Sequence, residues 1–304
     1  MNKQTKIVML KIFSMFSVVR GYNIPVIAFA QYLAAIFIIS PNRRALSIIL
    51  DGNLLILVLS SSLTIATGYI INNFYDSKKD LINRPKKSQI DRLVSQATKL
   101  QVYFTVNIVV VLLAFLISFR AVLFFSFYIF FIWFYSHKLK KYAIVGNLTA
   151  SFLAVFPFFA IFLYYKNLFP QIFVHALFLF LLLFIREIVK DFENLKGDIA
   201  NNYSTIPVKY GELFAKRIIL ILVCSTIVPV YFLVDVYDVG YMDLYFYICL
   251  LVLFIFMIVL NKANDKKHYL LLHNILKIII VSGVFSIVLI NPKVLLHAEK
   301  LFGF

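Results

Sequence analysis

The chain has few charged residues, and very few of them are acidic. Asp, Glu, Lys and Arg make up 14% of its 304 residues, with 14 acids against 30 Lys and Arg. Hydrophobic residues account for 62%, and the mean hydropathy is +0.91. Because soluble domains are about half apolar, this composition excludes an ordinary soluble globular protein.

Cysteine is also scarce, which argues against a disulfide framework. The two cysteines, Cys224 and Cys249, both lie in apolar runs, so we interpret them as buried apolar side chains. The histidines are scattered and none pairs with a cysteine, which disfavours a zinc site. There is no low-complexity linker and no short-period repeat. We therefore predict a single membrane domain over residues 1–304.

Apolar residues gather in runs of about 20, long enough to cross a bilayer as helices. We predict nine transmembrane helices, at 22–40, 54–74, 101–119, 121–136, 144–165, 171–188, 217–235, 243–261 and 273–291. An amphipathic helix over 5–19 is expected to precede them. The fold class is therefore all-α and polytopic, and the longest polar segments, 75–100 and 189–216, are expected to form cap loops over a membrane cavity.

The net charge of +16 raises the question of nucleic-acid binding, but the charges lie in loops between spans rather than on one soluble face. With the N-terminus in the cytoplasm, the opposite side holds only Arg43, Arg44, Arg120, Lys166, Lys293 and Lys300. The other Lys and Arg face the cytoplasm, except Lys277 near the start of the last span, which is expected to snorkel. The positive-inside rule thus predicts a cytoplasmic-membrane protein with membrane lipids as partners.

The few acids gather at the cytoplasmic ends of two predicted spans. The first group reads Asn72-Asn73-Phe74-Tyr75-Asp76-Ser77-Lys78-Lys79-Asp80. A variant follows about 120 residues later as Lys190-Asp191-Phe192-Glu193-Asn194-Leu195-Lys196-Gly197-Asp198. Carboxylates at a membrane edge are costly and indicate a functional site.

The spacing within each group places its oxygen donors on one face of a helix. The first face carries Asn72, Asp76 and Asp80, and the second carries Asp191, Asn194 and Asp198. Oxygen-only donors suit Mg²⁺, which binds through a few carboxylates together with substrate phosphates. Two such faces opposite each other predict a site for Mg²⁺ and a diphosphate.

Basic residues beside the acids are candidates for stabilising the charge of a leaving diphosphate. The candidates are Arg84, Lys140, Arg186 and Lys190. We interpret Lys78, Lys79, Lys86 and Lys87 as solvated, and Asp91 as an ordinary loop charge.

These residues resemble the UbiA-type intramembrane prenyltransferases over nearly the whole chain. The family's first motif, N-D-x-x-D-x-x-x-D followed by R-P, appears as Asn72-Asn73-x-x-Asp76-x-x-x-Asp80 with Arg84-Pro85. The second, D-x-x-D-x-x-x-D, appears as Asp191-x-x-Asn194-x-x-x-Asp198. The family's tyrosine–lysine segment resembles Tyr135-Ser136-His137-Lys138-Leu139-Lys140 with Gly146-Asn147, and Arg20 and Asn23 match positions before the first span.

The resemblance implies nine helices around a central cavity and Mg²⁺-dependent transfer of a prenyl chain from a prenyl diphosphate to a lipophilic acceptor. The implied metal residues are Asn72, Asp76, Asp80, Asp191, Asn194 and Asp198. Arg84, Tyr135 and Lys140 are implied to assist the diphosphate or the allylic cation, and Asn23, Asn73, Arg186 and Lys190 to bind substrate. Aromatic faces in the cavity would stabilise the cation.

Two departures from the family pattern are Asn73 and Asn194, each of which stands where Asp is usual. Each Asn keeps an oxygen donor but removes a negative charge, which predicts weaker metal binding or a different acceptor. The stretch Arg186-Glu187-Ile188-Val189-Lys190-Asp191 most resembles the subgroup that prenylates geranylgeranylglyceryl phosphate. Quinone precursors, haem and chlorophyll-type rings stay open as acceptors.

Three further interpretations concern organisation and class. The two acid groups suggest two related halves, at about 20–136 and 144–291. A CDP-alcohol phosphotransferase would need D-G-x-x-A-R, whereas Asp51-Gly52 is followed by Asn53-Leu54-Leu55. A transporter or non-catalytic lipid-binding protein stays open, although transporters place their sites near the bilayer midplane and these charges lie at its edge.

Overall fold

The computed structural model of the protein describes residues 3–292. Regular structure in this range is helical, with one isolated β-bridge between Tyr142 and Ser204. The α-helices are α1 (Lys3–Val18), α2 (Ile24–Leu33), α3 (Ala45–Ile49), α4 (Gly52–Asn83), α5 (Pro85–Asp91), α6 (Gln96–Ile117), α7 (Phe119–His137), α8 (Val145–Tyr165), α9 (Pro170–Ala200), α10 (Ile206–Tyr210), α11 (Glu212–Ser225), α12 (Ile227–Tyr231), α13 (Asp243–Lys262) and α14 (Lys266–Ser286). The shorter turns are π-helical at Ala34–Ile39 and Phe232–Val236 and 3₁₀ at Leu139–Lys141, Gly240–Met242 and Ile287–Ile290.

The all-α membrane architecture is confirmed, but the count of nine spans is not. Within residues 3–292, eight helices are long and apolar enough to cross a membrane. They cover Gly52–Asn83, Gln96–Ile117, Phe119–Lys141, Val145–Tyr165, Pro170–Ala200, Glu212–Val236, Gly240–Lys262 and Lys266–Ile290. The ninth prediction, 22–40, corresponds to Ile24–Ile39, where α2 has 10 residues and its π-helical continuation has 6. That segment is shorter than the roughly 20 residues a span needs.

The predicted entry helix is α1, and it packs on the cap rather than within the bundle. Its apolar side chains Val8, Ile12, Phe13 and Phe16 are exposed. Its buried Ser14 donates a hydrogen bond to the carbonyl of Ile90 at 2.8 Å. An apolar face pointing away from the protein is typical of a helix that lies in the membrane interface.

Helices α4 and α9 extend well past their predicted spans, so both acid groups are helical. The N-cap Asp51 accepts hydrogen bonds from the backbone of Asn53 and Leu54 at 3.0 and 3.2 Å. The helix ends only at Arg84, which precedes Pro85 and has φ −143° and ψ 61°. A residue before proline is driven out of the helical region, and no breaker precedes it. The sequence segments 75–100 and 189–216 are therefore partly membrane-helix continuations, capped by α5 and α10.

Helices α4 and α9 touch at their acidic ends because Gly197 has no side chain. A Cβ atom there would lie within contact distance of the Asn83 side chain. The amide of Gly197 instead donates to Asn83 Oδ1 at 3.0 Å. This close approach brings the two acid-bearing helices to the same end of the bundle.

The apolar core falls into two large groups along the chain. One group is built from buried residues between Val18 and Ile172 and the other from buried residues between Phe178 and Ile279. Cys249 is buried in the second group, as predicted, whereas Cys224 is exposed, which corrects its prediction as a buried side chain. Lys293 and Lys300, used in the orientation argument, lie outside the described residues.

Candidate active site

The acidic ends of α4 and α9 face a pocket of about 630 Å³, including its open mouth. We refer to this cavity as the main pocket. The residues that line it are Arg20, Asn72, Asp76, Lys79, Asp80, Arg84, Tyr135, Lys140, Gly146, Asn147, Glu187, Lys190, Asp191, Asn194 and Thr205.

Asp76 is the most strongly engaged acid of the first group. It is 7% exposed and forms an ion pair with Lys140, whose Nζ lies 2.7 Å from Asp76 Oδ1. Lys140 also donates to Asn72 Oδ1 at 3.1 Å. The same Asp76 oxygen accepts a hydrogen bond from the Tyr203 hydroxyl at 3.1 Å. The carboxylate is thus held in one place by two donors from distant parts of the chain.

The second group is held in a similar way on α9. Asp191 Oδ2 accepts a hydrogen bond from Asn147 Nδ2 of α8 at 2.7 Å. Asp198 is fully buried, and Lys79 of α4 lies 2.8 Å from its Oδ1. That contact lacks hydrogen-bond geometry, so among the described residues neither oxygen of Asp198 has a hydrogen-bond partner. Lys79 therefore stands between Asp198 and the main pocket.

The turn that carries Lys140 is fixed by backbone contacts. It is the 3₁₀ turn Leu139–Lys141, and the carbonyl of Lys141 accepts a hydrogen bond from Ser204 N at 2.8 Å. Gly146 lets α8 approach this turn, since a Cβ atom there would lie 3.0 Å from the carbonyl of Leu139. Next to Ser204, burial and the charge of Asp76 raise the pKa of Tyr203. Tyr203 therefore stays protonated and keeps donating to Asp76.

The structure brings most, but not all, of the predicted site residues together. Those that line the main pocket are Asn72, Asp76, Asp80, Arg84, Tyr135, Lys140, Lys190, Asp191 and Asn194. Those that do not are Asn23, Asn73, Arg186 and Asp198. Asn23 instead donates to the Tyr69 hydroxyl at 3.3 Å, and Asp198 lies behind Lys79.

Asn73 belongs to a buried network outside the main pocket. Its Nδ2 donates to Asp91 Oδ2 at 3.0 Å, and its Oδ1 accepts from Lys99 at 2.9 Å. Asp91 also accepts from Ser17 of α1 and from Lys87, each at 2.8 Å. Asp91 is 3% exposed, so its interpretation as an ordinary loop charge is wrong. The family's usual Asp is therefore replaced by Asn73, whose side-chain amide links α4, α5 and α6. Asn73 reaches only a smaller pocket beside the main one.

We expect Asn73→Ala to lower stability without changing the Mg²⁺ requirement. The substitution leaves Lys99, which is 1% exposed, without its amide partner, at a cost of about 1–3 kcal/mol. Asn72→Ala is the matched comparison, because its neighbouring amide lines the main pocket. Thermal unfolding and Mg²⁺ titration of both variants in detergent check this. A raised Mg²⁺ requirement in Asn73→Ala with unchanged stability would contradict it.

Three of the four predicted basic residues are paired with a glutamate, whereas Lys140 is paired with Asp76. Arg84 Nη2 lies 3.1 Å from Glu193 Oε1, while Glu193 Oε2 lies 2.7 Å from His273 Nδ1 of α14. Arg186 and Lys190 share Glu187, at 3.0 and 2.6 Å. These buried glutamates hold the cations near the pocket wall, so the cations are positioned before any anion arrives.

The donor set of the main pocket fits Mg²⁺ as a shared ligand. Among residues 3–292, no three Asp, Glu, His or Cys side chains converge into a ready-made metal site. The pocket nevertheless presents carboxylate oxygens of Asp76, Asp80 and Asp191, and Asp198 adds two buried oxygens without hydrogen bonds. Mg²⁺ prefers such oxygens and is usually completed by substrate phosphates and water. The residues therefore fit an ion that binds together with a diphosphate.

Several pocket residues were missed from the sequence. Lys79 was interpreted as solvated, but its side chain is 15% exposed and paired with Asp198. Its signal was the spacing of seven from Asn72, which puts it on the acid-bearing face once the helix extends to Asn83. Glu187 and Thr205 also line the pocket, and no local pattern marks Thr205.

Comparison with known proteins identifies relatives of this chain. The model of the "UbiA prenyltransferase family" matches residues 15–278. A digeranylgeranylglyceryl phosphate synthase from Methanobrevibacter smithii is 26% identical over 228 residues, covering 71% of this chain and 79% of that protein.

Two solved structures have the same fold. One, from a study of digeranylgeranylglyceryl phosphate synthase, has a TM-score of 0.71 and 22% identity and covers 92% of this chain and 98% of its own. The other, a UbiA homolog from Archaeoglobus fulgidus bound to GPP and Mg²⁺, has a TM-score of 0.65 and 14% identity, covering 90% and 99%. Since the family match spans most of the sequence, this chain belongs to the UbiA prenyltransferase family.

Proposed function

We propose that the protein transfers a geranylgeranyl chain from its diphosphate to geranylgeranylglyceryl phosphate, in a Mg²⁺-dependent reaction that releases diphosphate. Membership of the UbiA prenyltransferase family makes it an integral membrane enzyme of the prenyltransferase class. The observation that carries the proposal is that Asp76 of α4 and Asp191 of α9 line the same pocket. These two residues are 115 positions apart in the sequence. A relative named digeranylgeranylglyceryl phosphate synthase supports the acceptor.

In this proposal the two acid-bearing helices grip the donor from opposite sides. Asn72, Asp76 and Asp80 of α4 and Asp191, Asn194 and Asp198 of α9 would hold Mg²⁺ and the diphosphate. Bound Mg²⁺ would supply positive charge against the negative charge that grows as the allylic C–O bond breaks.

The chain's own cations complete this role. Lys140 and Arg84 line the same pocket and would donate to the departing diphosphate oxygens, and electrostatic stabilisation of this kind usually contributes most to the rate enhancement of an enzyme. Both are already fixed by carboxylates, at 2.7 and 3.1 Å. Tyr135 of α7 also lines this pocket, and its aromatic face would stabilise the allylic cation.

Lys79 and Lys140 hold the acids in the absence of a substrate. Their ammonium groups lie 2.8 Å from Asp198 and 2.7 Å from Asp76. A positive ion entering between these carboxylates would take over that role and free both lysines for the diphosphate. The substrate complex and the free site would thus use the same charges in two arrangements.

We also propose on which side of the membrane the site lies and how the chain is organised. The Lys and Arg asymmetry supports a cytoplasmic membrane with the N-terminus and the main pocket on the cytoplasmic side. The two longest helices, α4 with 32 residues and α9 with 31, each carry one acid group. This supports two related halves, at about 20–136 and 144–291, that each supply one acid-bearing helix.

The test is diphosphate release by purified full-length protein given geranylgeranyl diphosphate, with and without Mg²⁺. The acceptors are geranylgeranylglyceryl phosphate and an aromatic quinone precursor. We expect release only with Mg²⁺ and only with the glycerol phosphate ether. Release with the aromatic acceptor alone would overturn the acceptor assignment, and tight donor binding without release to either would favour the non-catalytic lipid-binding alternative.

A further inference from the structure

One lysine lies within a membrane-spanning helix and has no place in the site described above. The helix of the last span starts at Lys266, and Lys277 lies eleven residues along it, about 16 Å along the helix axis. An ionisable side chain within such a helix is expensive and by default indicates a function.

Lys277 lies next to the ion cluster that positions Arg84. It is one helical turn beyond His273 and therefore on the same side of α14. His273 and Arg84 both contact the buried Glu193, at 2.7 and 3.1 Å. Arg20 lines the same two pockets as Arg84, and Arg186 precedes Glu193 by seven residues, about two turns on the same side of α9. Basic side chains from three helices and from the break before α2 therefore lie around Glu193.

This region carries more positive charge than its acids can balance. Both oxygens of Glu193 are already occupied, by Arg84 and His273. Among the described residues, Arg20 and Lys277 form no ion pair with a carboxylate. The buried Nε of Arg186 likewise has no hydrogen-bond partner there. Unbalanced cations with free donors are the complement of a phosphate group, which Arg binds through paired hydrogen bonds.

The cluster connects the membrane-facing surface to the main pocket. Lys277 is exposed on α14, and α14 packs against α2, where the rings of Phe285 and Phe29 lie 5.6 Å apart. At the other end, Arg20 and Arg84 line the main pocket. Arg20 occupies the break between α1 and α2 with φ 50°, and its guanidinium lies 5.0 Å from the ring centre of Tyr69.

We propose that Arg20, Arg186 and Lys277, which lie beside Arg84, form a second anion subsite, which holds the phosphate of the lipid acceptor beside the donor diphosphate. This inference rests on the proposed function, because it assigns a place to that acceptor's headgroup. A phosphate monoester carries about −1.5 to −2 charge at neutral pH, enough to balance the two unpaired cations. Its single geranylgeranyl chain would stay in the lipid beside α2 and α14, and its hydroxyl would face the main pocket.

The test is acceptor binding by full-length protein in detergent, without donor or Mg²⁺, so that it does not depend on turnover. The probes are geranylgeranylglyceryl phosphate, its dephosphorylated alcohol, inorganic phosphate and inorganic diphosphate. The variants are Lys277→Met, the conservative Lys277→Arg, and Lys267→Met as a matched control ten residues earlier on the same helix. Thermal unfolding shows that each variant is folded.

We expect Lys277→Met to weaken binding of the phosphorylated lipid about tenfold or more, the effect of losing one hydrogen bond to a charged group. Binding of the alcohol should not change, Lys277→Arg should retain most of the affinity, and Lys267→Met should behave as wild type. Equal weakening for both lipids, or none, would overturn the subsite. Loss of inorganic phosphate or diphosphate binding with unchanged lipid binding would also overturn it, in favour of a site for the free anion. Wild-type protein that binds the lipid selectively but releases no diphosphate would refute the proposed reaction and leave the subsite standing.

Discussion

Asp76→Asn is expected to reduce Mg²⁺-dependent diphosphate release by about 100-fold or more, in line with the loss of a charge-stabilising group from an active site. Asp76 is buried, lies at the centre of the α4 face, and lines the main pocket together with Asp191. Asn keeps the shape and one oxygen but removes the negative charge that a metal–diphosphate complex requires. Single-turnover diphosphate release at saturating donor measures the effect.

In Asp76→Asn, a loss of activity caused by unfolding must be distinguished from a loss caused by the missing charge. Removing the carboxylate leaves the buried Lys140 ammonium without its ion-pair partner, which is itself destabilising. Asp80→Asn removes the same kind of charge from the same pocket, and Asp80 forms no ion pair among the described residues. Asp235→Asn, at an exposed position, is the matched control. Near-normal release in both Asp76→Asn and Asp80→Asn, with Asp235→Asn unchanged, would refute the metal-site assignment.

The acid groups could be found from the sequence because their signal is local. A chain with 14 acids in 304 residues has little reason to place two groups of them beside apolar spans. Spacings of three and four then predict one helix face without any tertiary information. The main pocket contains the side chains of Asp76, Asp80 and Asp191, whereas Asp198, which the same spacing argument selected, does not line it.

The partners of those acids could not be found in the same way, because they come from distant parts of the chain. Asp191 is held by Asn147, 44 positions away, and Asp76 by Tyr203, 127 positions away. Neither pairing leaves a periodic trace in the sequence. The Asn73 amide illustrates the reverse error, since a position inside the motif is bound to Asp91 in a network outside the main pocket. A motif fixes spacing along a helix, whereas tertiary packing decides which pocket each side chain reaches.

The predicted count of nine spans was not confirmed, for a physical reason of a different kind. The run 22–40 is apolar enough to be taken as a span, but helix continuity is not visible in hydropathy. Asn23 is the N-cap of α2, and the π-helical continuation of α2 ends with its C-cap at Ser40. Conversely, α4 continues to Asn83 through polar residues, because only Pro85 stops it. Lys79 was misjudged for that reason alone.

Lys140→Met is expected to strengthen Mg²⁺ binding while lowering the maximal rate of diphosphate release. In the free site the Lys140 ammonium lies 2.7 Å from Asp76 and 3.1 Å from Asn72 Oδ1, so it competes with any cation for the same oxygens. Without it, we expect half-maximal activity at a lower Mg²⁺ concentration. The maximal rate should nevertheless fall by about 100-fold, because one positioned donor to the leaving diphosphate is lost.

Lys138→Met is the matched control, since Lys138 is exposed two residues earlier in the same segment and should leave both quantities unchanged. Lys140→Arg tests geometry, because the wider, planar guanidinium replaces an ammonium that is 5% exposed and should restore charge without restoring the rate. The measurement is the rate of diphosphate release across a Mg²⁺ titration for all three variants. A rise in the Mg²⁺ requirement of Lys140→Met would mean that the lysine supports the metal-binding oxygens rather than competing for them. An unchanged maximal rate would remove Lys140 from the group that stabilises the departing diphosphate.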